Sequence, residues 1–218
     1  NSVNSGIHAD FVGRIAGVVS YTCDSCTDGP EDQHGHGTHV AGSVLGDGTN
    51  SPDGADNSGM APGAHLFMQS VLCGGSLCNP SYDVFFTEAH DAGARVHTNS
   101  WGSGPSPANT CSGGSCLAYY STSALEIDTE ANSLTDLTIL FAMGNDAMDC
   151  TYNSFGQSSC YGGKDGEINL GAMNQQATAK NILSVGASEN LRDTLPLYAM
   201  PYRNFCNSSP QCDLPFTT

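Results

Sequence analysis

Basic residues are scarce in this chain. Its 218 residues include six Lys and Arg against 22 Asp and Glu, which gives a formal net charge of −16. A surface of this charge repels phosphate backbones and anionic lipid headgroups, so we expect no nucleic-acid partner and no membrane association. Charged residues of either sign make up only 13% of the chain, well below the roughly 25% usual in soluble domains, so ion pairs contribute little to the fold.

Long apolar runs are also absent. No segment approaches the roughly 18 consecutive apolar residues of a membrane-spanning helix. The first residues, NSVNSGIHADF, contain neither an initiator Met nor the basic-then-apolar pattern of a signal peptide. We therefore expect that processing or truncation removed an upstream segment. The length itself fits one globular domain.

Cysteine, in contrast, is abundant. The even count, the short spacings and the Gly- and Ser-rich surroundings predict local disulfides and an oxidising compartment outside the cytoplasm, so we expect a secreted protein. Zinc is disfavoured because the single CxxC has no second CxxC to complete a site. The ten cysteines fall into five close pairs, Cys23/Cys26, Cys73/Cys78, Cys111/Cys116, Cys150/Cys160 and Cys206/Cys212.

Apolar runs alternate with amphipathic segments along the chain. Strands alternating with helices of ten or more residues predict an α/β fold, a three-layer arrangement with a mostly parallel sheet and helices on both faces. Gly93 is the expected C-cap of the second helix, and Leu125 and Leu134 are expected to point inward from the third. The predicted strands are 15–21, 65–72, 95–100, 137–142 and 182–185, and the predicted helices are 36–45, 118–134 and one from Tyr82 that ends at 91–93.

Three loops fall where such a fold places its functional residues, at the carboxyl ends of the strands. His36 opens the first helix, where an imidazole suits proton transfer. Ser100-Trp101-Gly102 and Ala142-Met143-Gly144 follow two later strands, and their backbones are placed to bracket an extended chain. Asn145 adds a carboxamide donor of the kind that stabilises a developing oxyanion.

These residues carry a resemblance to a known family. HGTHVAG at 36–42 resembles the histidine motif of subtilisin-like serine proteases, GMAPGA at 59–64 the turn before their next strand, and AMGN at 142–145 their oxyanion loop. The stretches DAGARVHTNSWGS, LTILFAMGN and TAKNILSVGASENLR are most similar to the alkaline subtilases that carry a C-terminal β-sandwich. The resemblance extends over about 8–192, and 193–218 diverges.

The resemblance implies a function and residue roles. His36 is the implied general base and Asn145 the oxyanion donor. Ser100, Trp101 and Gly102 form one substrate wall, and Ala142, Met143 and Gly144 form the other, so that a polypeptide substrate binds as an added strand. We therefore expect a secreted, monomeric serine endopeptidase that works through an acyl-enzyme and requires no cofactor for catalysis.

Two members of the implied triad have no match in this sequence. The mechanism needs a Ser nucleophile and an Asp that orients the His, but the chain contains no Gly-Thr-Ser motif. Asn4-Ser5-Gly6 imitates the Asp motif of the family without the apolar strand that precedes it. We expect the Asp upstream of Asn1 and the Ser downstream of Thr218, so that residues 1–218 are a partial peptidase domain, incomplete at both ends and inactive alone.

Other interpretations of the same residues stay open. A non-catalytic relative would keep the two walls and bind extended peptides without cleaving them. A metal-binding domain would use His34, His36 and His39, although no matching carboxylate motif follows them. The acidic stretch 46–59 favours a solvated loop, with structural calcium chemically admissible. We predict no metal ligand in this chain.

Overall fold

The computed structural model describes residues 7–21, 31–32, 34–51, 57–73, 76–78, 80–103, 111–112, 115–116, 120–144, 151–152, 158–159 and 173–186. The chain divides into two compact units, Asn1–Arg95 and Val96–Thr218. Within the described part of the chain, no helix combines the length and hydropathy needed to cross a membrane.

The first unit is built on a strand–helix–strand arrangement. Strand β1 (Ile15–Ser20) pairs in parallel with β2 (Leu66–Ser70), and helix α1 (His36–Leu45) connects them in sequence. Small residues in α1 allow close packing, and its Ala41 and Leu45 join Phe11 in a buried cluster lined by apolar residues of both strands. The predicted bounds of α1 are confirmed, and β1 ends one residue before its predicted end.

Helix α2 (Tyr82–Asp91) follows in the same unit. It buries one apolar stripe at the i, i+3, i+4, i+7 spacing of an amphipathic helix, and this stripe consists of Tyr82, Phe85, Phe86 and Ala89. Ala92 is the C-cap, and Gly93 follows with φ of 98°. A left-handed residue after the cap favours glycine, which is why the helix stops here.

A short hairpin precedes α2. Strands β3 (Leu72–Cys73) and β4 (Ser76–Leu77) pair antiparallel. Cys73 and Cys78 are buried and are disulfide-bonded cysteines. The side chains of the other eight cysteines lie outside the described residues, so the scheme of five local pairs stays a prediction.

The second unit is centred on a three-stranded parallel sheet. Its strands are β5 (Val96–Asn99), β8 (Thr138–Ala142) and β11 (Leu183–Val185), with β8 in the middle. Two short antiparallel pairs lie before and after β8 in the sequence: β6 (Cys111–Ser112) with β7 (Ser115–Cys116), and β9 (Thr151–Tyr152) with β10 (Ser158–Ser159). The parallel strands and intervening helices confirm the predicted α/β class.

Helix α3 (Thr122–Ser133) lies between β5 and β8 in sequence. The predicted helix began at 118, but Ser121 is the N-cap and accepts a hydrogen bond from Ala124 N at 3.2 Å. The prediction that Leu125 points inward is wrong, because Leu125 is 54% exposed. The buried stripe runs instead through Ala124, Ile127 and Asp128. Leu134, the C-cap, is half-buried.

Burial alternates along the central strands. On one face of the sheet, Ile139 and Phe141 of β8 are buried together with His97 and Asn99 of β5. On the other face, Val96 is 64% exposed. A sheet with helices on both faces would bury strand β8 on both sides. Its burial instead has a period of two, so packing is concentrated on one face in the described residues.

Candidate functional site

His36 is the first residue of α1, and its side chain is exposed. The N-cap is Gly35, with φ of 81° and no side chain to satisfy the free N–H groups of the first turn. Asp32, upstream of the helix, supplies the side-chain acceptors that Gly35 lacks. Its Oδ1 accepts from Gly35 N at 2.8 Å, and its Oδ2 accepts from the N–H and the hydroxyl of Thr38, both at 2.7 Å. One carboxylate therefore fixes the backbone on both sides of His36.

The ionised form of Asp32 is favoured by this arrangement. Partial burial raises the pKa of Asp32, but the hydrogen bonds from Thr38 and Gly35 outweigh it and hold the pKa below its usual value. A negative carboxylate at a helix N-terminus also interacts favourably with the helix dipole. Asp32 is not among the residues predicted for the site, although an Asp shortly before a glycine-led helix is a recognisable capping signal.

The cluster of three histidines does not form a metal site in the structure. The rings of His34 and His36 meet edge-on, with centroids 6.1 Å apart. Across the described residues, no three His, Cys, Asp or Glu side chains are grouped closely enough to hold a metal ion.

In the acidic stretch, Asp47 Oδ1 accepts from Thr49 N at 2.9 Å, and Asp47 Oδ2 lies 3.8 Å from the guanidinium of Arg14. The negative charge of Asp47 therefore interacts with a positive charge of the protein, the Arg14 guanidinium.

The two predicted walls lie in the second unit. Strands β5 and β8 are hydrogen-bonded parallel neighbours, so Ser100-Trp101-Gly102 and Met143-Gly144 leave the sheet at the same edge, just after Ala142 ends β8. Trp101 packs edge-on against Phe141, with ring centroids 5.5 Å apart. Asn145 lies outside the described residues, so its predicted place beside the walls is untested.

Asn174 lies between the two walls and is not among the residues predicted for the site. Its side chain is only 7% exposed. Its backbone N donates to Met143 O at 2.6 Å, and its Nδ2 donates to Ala142 O at 3.3 Å. A Cβ placed on Gly102 would lie 2.7 Å from Asn174 Nδ2, and one placed on Gly144 would lie 2.8 Å from Oδ1. An alanine at either position would therefore displace the Asn174 side chain, and Gly144 also has φ of 109°, which favours glycine.

The residues after Asn174 extend this link to Ser103, which directly follows the first wall. Gln175 N donates to Ser103 O at 2.9 Å, and Ser103 N donates to the side-chain Oε1 of buried Gln176 at 2.9 Å. Segment 174–176 thus binds the backbone of the second wall and of Ser103, the residue that follows the first wall. The only sequence signal for it is a run of three amide side chains ahead of a predicted strand.

Met143 has its backbone engaged inside the protein. Its N–H donates to Val185 O at 2.9 Å, and its carbonyl accepts from Asn174 N. In an added-strand interaction the substrate bonds to free backbone groups of the wall. At Met143, contact with a substrate would therefore come from the side chain.

Behind the first wall lies a buried His–Asn pair on β5. Asn99 Nδ2 lies 3.0 Å from His97 Nδ1 and donates to Leu140 O at 3.1 Å. Because an amide NH₂ only donates, His97 Nδ1 is the acceptor, which requires the neutral ring with its hydrogen on Nε2. Burial lowers the pKa of His97 to about 4, so His97 is uncharged at neutral pH.

Comparisons with known proteins identify relatives of this chain. Residues 4–215 match the subtilase family. In Dictyostelium discoideum, the serine protease/ABC transporter B family protein tagD is 31% identical over 193 residues, and tagB is 29% identical over 195 residues. These alignments cover 86% and 88% of this chain but only 9% of each relative. Among solved structures, that of the prenylagaramide maturation protease PagA is 14% identical, covers 67% of this chain and 56% of that chain, and has a TM-score of 0.37.

Proposed function

The chain belongs to the subtilase family, and we propose that it supplies the general base and the peptide-binding walls of a secreted serine endopeptidase. Within the family, we propose that it resembles the alkaline subtilases with a C-terminal β-sandwich. The proposed substrates are polypeptides. The chemistry requires no cofactor, and the protein acts as a monomer.

In the proposed mechanism, His36 takes the proton of a serine hydroxyl as that oxygen attacks the scissile carbonyl. The protonated His36 then donates to the leaving amine, and water later releases the acyl-enzyme by the same route in reverse. Asn145 donates a hydrogen bond to the oxyanion. The serine and the orienting aspartate have no assigned position among residues 1–218.

One observation carries the proposal of a peptide groove. Two adjacent parallel strands, β5 and β8, bring both walls to one edge of the sheet, and the Asn174 side chain lies close to Gly102 and Gly144. Apart from Met143, whose backbone is already bonded within the protein, a preorganised backbone edge of this kind favours an extended peptide, because main-chain hydrogen bonds provide affinity and the pockets between them provide selectivity.

Hydrolysis of an unfolded protein and of a fluorogenic peptide by the complete gene product tests the proposal. We expect turnover that is lost in His36→Ala and retained in His39→Ala, which is a matched control because His39 is an exposed histidine one turn further along α1. A serine-directed phosphonate should label the wild-type protein. Equal activity of the two variants would contradict the role of His36.

The alternative of a peptide-binding relative without catalysis makes a different prediction. It would bind an extended peptide with no turnover and no phosphonate label.

The proposed secretion has separate support in the disulfide-bonded and buried Cys73 and Cys78, since disulfides persist in oxidising compartments. Recovery of the protein from the culture medium of cells that express its gene would test it.

A further inference from the structure

One buried side chain lies between the two peptide-binding walls. The Asn174 carboxamide is close to both Gly102 and Gly144, so that a single added carbon at either glycine would overlap it, at 2.7 Å and 2.8 Å respectively. We propose that Asn174 is a positioning residue that sets the separation of the walls and thereby the affinity for an extended peptide. This inference rests on the function proposed above.

The position of the Asn174 side chain is fixed by bonds at both of its ends. The backbone N–H is bonded to Met143 O at 2.6 Å, and Nδ2 donates to Ala142 O at 3.3 Å. These acceptors belong to consecutive residues at the end of β8, so the amide cannot rotate away without breaking a hydrogen bond. Gln175 and Gln176 hold the same segment to Ser103, the residue that follows the first wall.

Removing the side chain leaves most of this attachment in place. In Asn174→Ala the backbone bonds of 174 and 175 and the Gln176 side-chain bond to Ser103 all survive, so the variant is expected to fold. What it loses is the group that fills the space between Gly102 and Gly144. The walls are then less rigidly spaced, and this loss of preorganisation weakens the binding of an extended peptide.

The expected kinetic signature separates this role from that of a catalytic residue. The walls bind the peptide in the ground state and in the transition state alike, so loosening them raises KM and leaves kcat nearly unchanged. Asn174 touches no reacting atom in the proposed mechanism. Substitution of Asn145, the proposed oxyanion donor, should instead lower kcat.

Gly102 provides a size-complementation test. The three atoms nearest to a Cβ added there all belong to Asn174, namely Nδ2, Cγ and Cβ, at 2.7, 2.8 and 2.9 Å. Gly102→Ala alone therefore pushes Asn174 out of place. In the double variant Gly102→Ala/Asn174→Ala, two of the three close atoms are gone, so the second substitution should offset part of the damage from the first.

The experiment measures peptide hydrolysis by the complete gene product, and also the Kd of a labelled extended peptide that is not cleaved. We expect Asn174→Ala to raise KM and Kd by about tenfold, within the range of interactions between adjacent groups. Gly102→Ala should raise both values as well, and the double variant should be less impaired than the sum of the single effects. Asn181→Ala is the matched control, because Asn181 is an exposed amide in the same segment.

The outcomes distinguish this inference from the proposed function. If the wild type cleaves or binds the peptide but KM and Kd of Asn174→Ala equal those of Asn181→Ala, Asn174 does not set the spacing and only this inference fails. Strict additivity of the Gly102 and Asn174 effects overturns it too. If the wild type neither cleaves nor binds extended peptides, the proposed function fails, and this inference fails with it.

Discussion

Asp128 on α3 accepts hydrogen bonds from three other residues, and its removal should destabilise the second unit measurably. The carboxylate is 7% exposed. Its oxygens accept from Lys180 N at 2.8 and 3.0 Å, from Asn181 N at 2.7 Å and from the Tyr120 hydroxyl at 2.8 Å. These bonds tie the helix to the turn that precedes β11.

The expected effect follows from the number and kind of these bonds. A hydrogen bond to a charged group contributes about 1.5–3 kcal/mol net. Lys180 and Asn181 are exposed, so water replaces part of what their N–H groups lose. We therefore expect Asp128→Ala to lower the free energy of unfolding by about 3 kcal/mol, within the range for breaking a buried polar network. Asp128→Asn should lose roughly half as much, since it keeps one acceptor oxygen.

Urea unfolding followed by Trp101 fluorescence is the appropriate assay. Trp101 is the only Trp in the sequence, and it packs on Phe141 in the same unit as Asp128. Glu126→Gln is the matched control, because Glu126 is an exposed carboxylate on the same helix. If Asp128→Ala and Glu126→Gln have the same unfolding midpoint and slope, the bonds to the 180–181 turn contribute nothing net and the reasoning is refuted.

The pH dependence gives an independent check on the same carboxylate. Burial raises the pKa of Asp128, but the N–H groups of Lys180 and Asn181, the Tyr120 hydroxyl and the Lys180 charge outweigh it, so the pKa is held below its usual value of 3.8. Because the folded state lowers the pKa, the contribution of Asp128 is fully present above pH 3.8. It is lost as the pH falls through the folded value. The difference in stability between wild type and Asp128→Asn should therefore shrink in strong acid.

Three further outcomes are expected. Asp32→Ala should destabilise α1 by about 1 kcal/mol, as loss of an N-cap does, and should reduce hydrolysis by the complete protein, whereas Glu31→Ala, an exposed neighbour, should change neither. Because burial lowers the folded pKa of His97 to about 4 from 6.5, stability should decline from pH 6.5 to pH 4 with a slope of up to about 1.4 kcal/mol per pH unit, and His97→Gln should flatten that slope in urea titrations. Non-reducing peptide mapping should recover the five local cysteine pairs, and a long-range link or several free thiols would contradict that scheme.

The elements that the sequence predicts well are those whose local pattern agrees with their packing. In α2, the aromatic spacing identifies both the helix and the face it buries, and Gly93 marks its end. In α1, the small residues of HGTHVAG identify the helix, and its buried face follows from their close approach to the strands. Here propensity, periodicity and tertiary contact all favour the same structure.

Helix α3 is the case where the pattern misleads. Leu125 is the apolar residue that periodicity favours for the core, yet it is exposed, and Asp128 is buried at a position where a charged residue is not expected. The reason is a tertiary contact: the N–H groups of Lys180 and Asn181, more than fifty residues away in the sequence, need an acceptor, and Asp128 supplies it. Helical periodicity records only the apolar contacts of a helix, so it cannot place a buried carboxylate.

The proposed groove, too, can be predicted only in part from the sequence. The wall loops follow from the rule that functional loops lie at the carboxyl ends of parallel strands, and this rule needs only the order of the strands. Asn174 does not follow from it, because its role depends on a space between two glycines that are 42 residues apart in sequence, Gly102 and Gly144. Glycines at both positions show that something approaches the backbone closely, but only the fold identifies the side chain that does so. For this reason the coupling between Gly102 and Asn174, rather than the effect of either substitution alone, is the measurement that decides whether the groove is built as proposed.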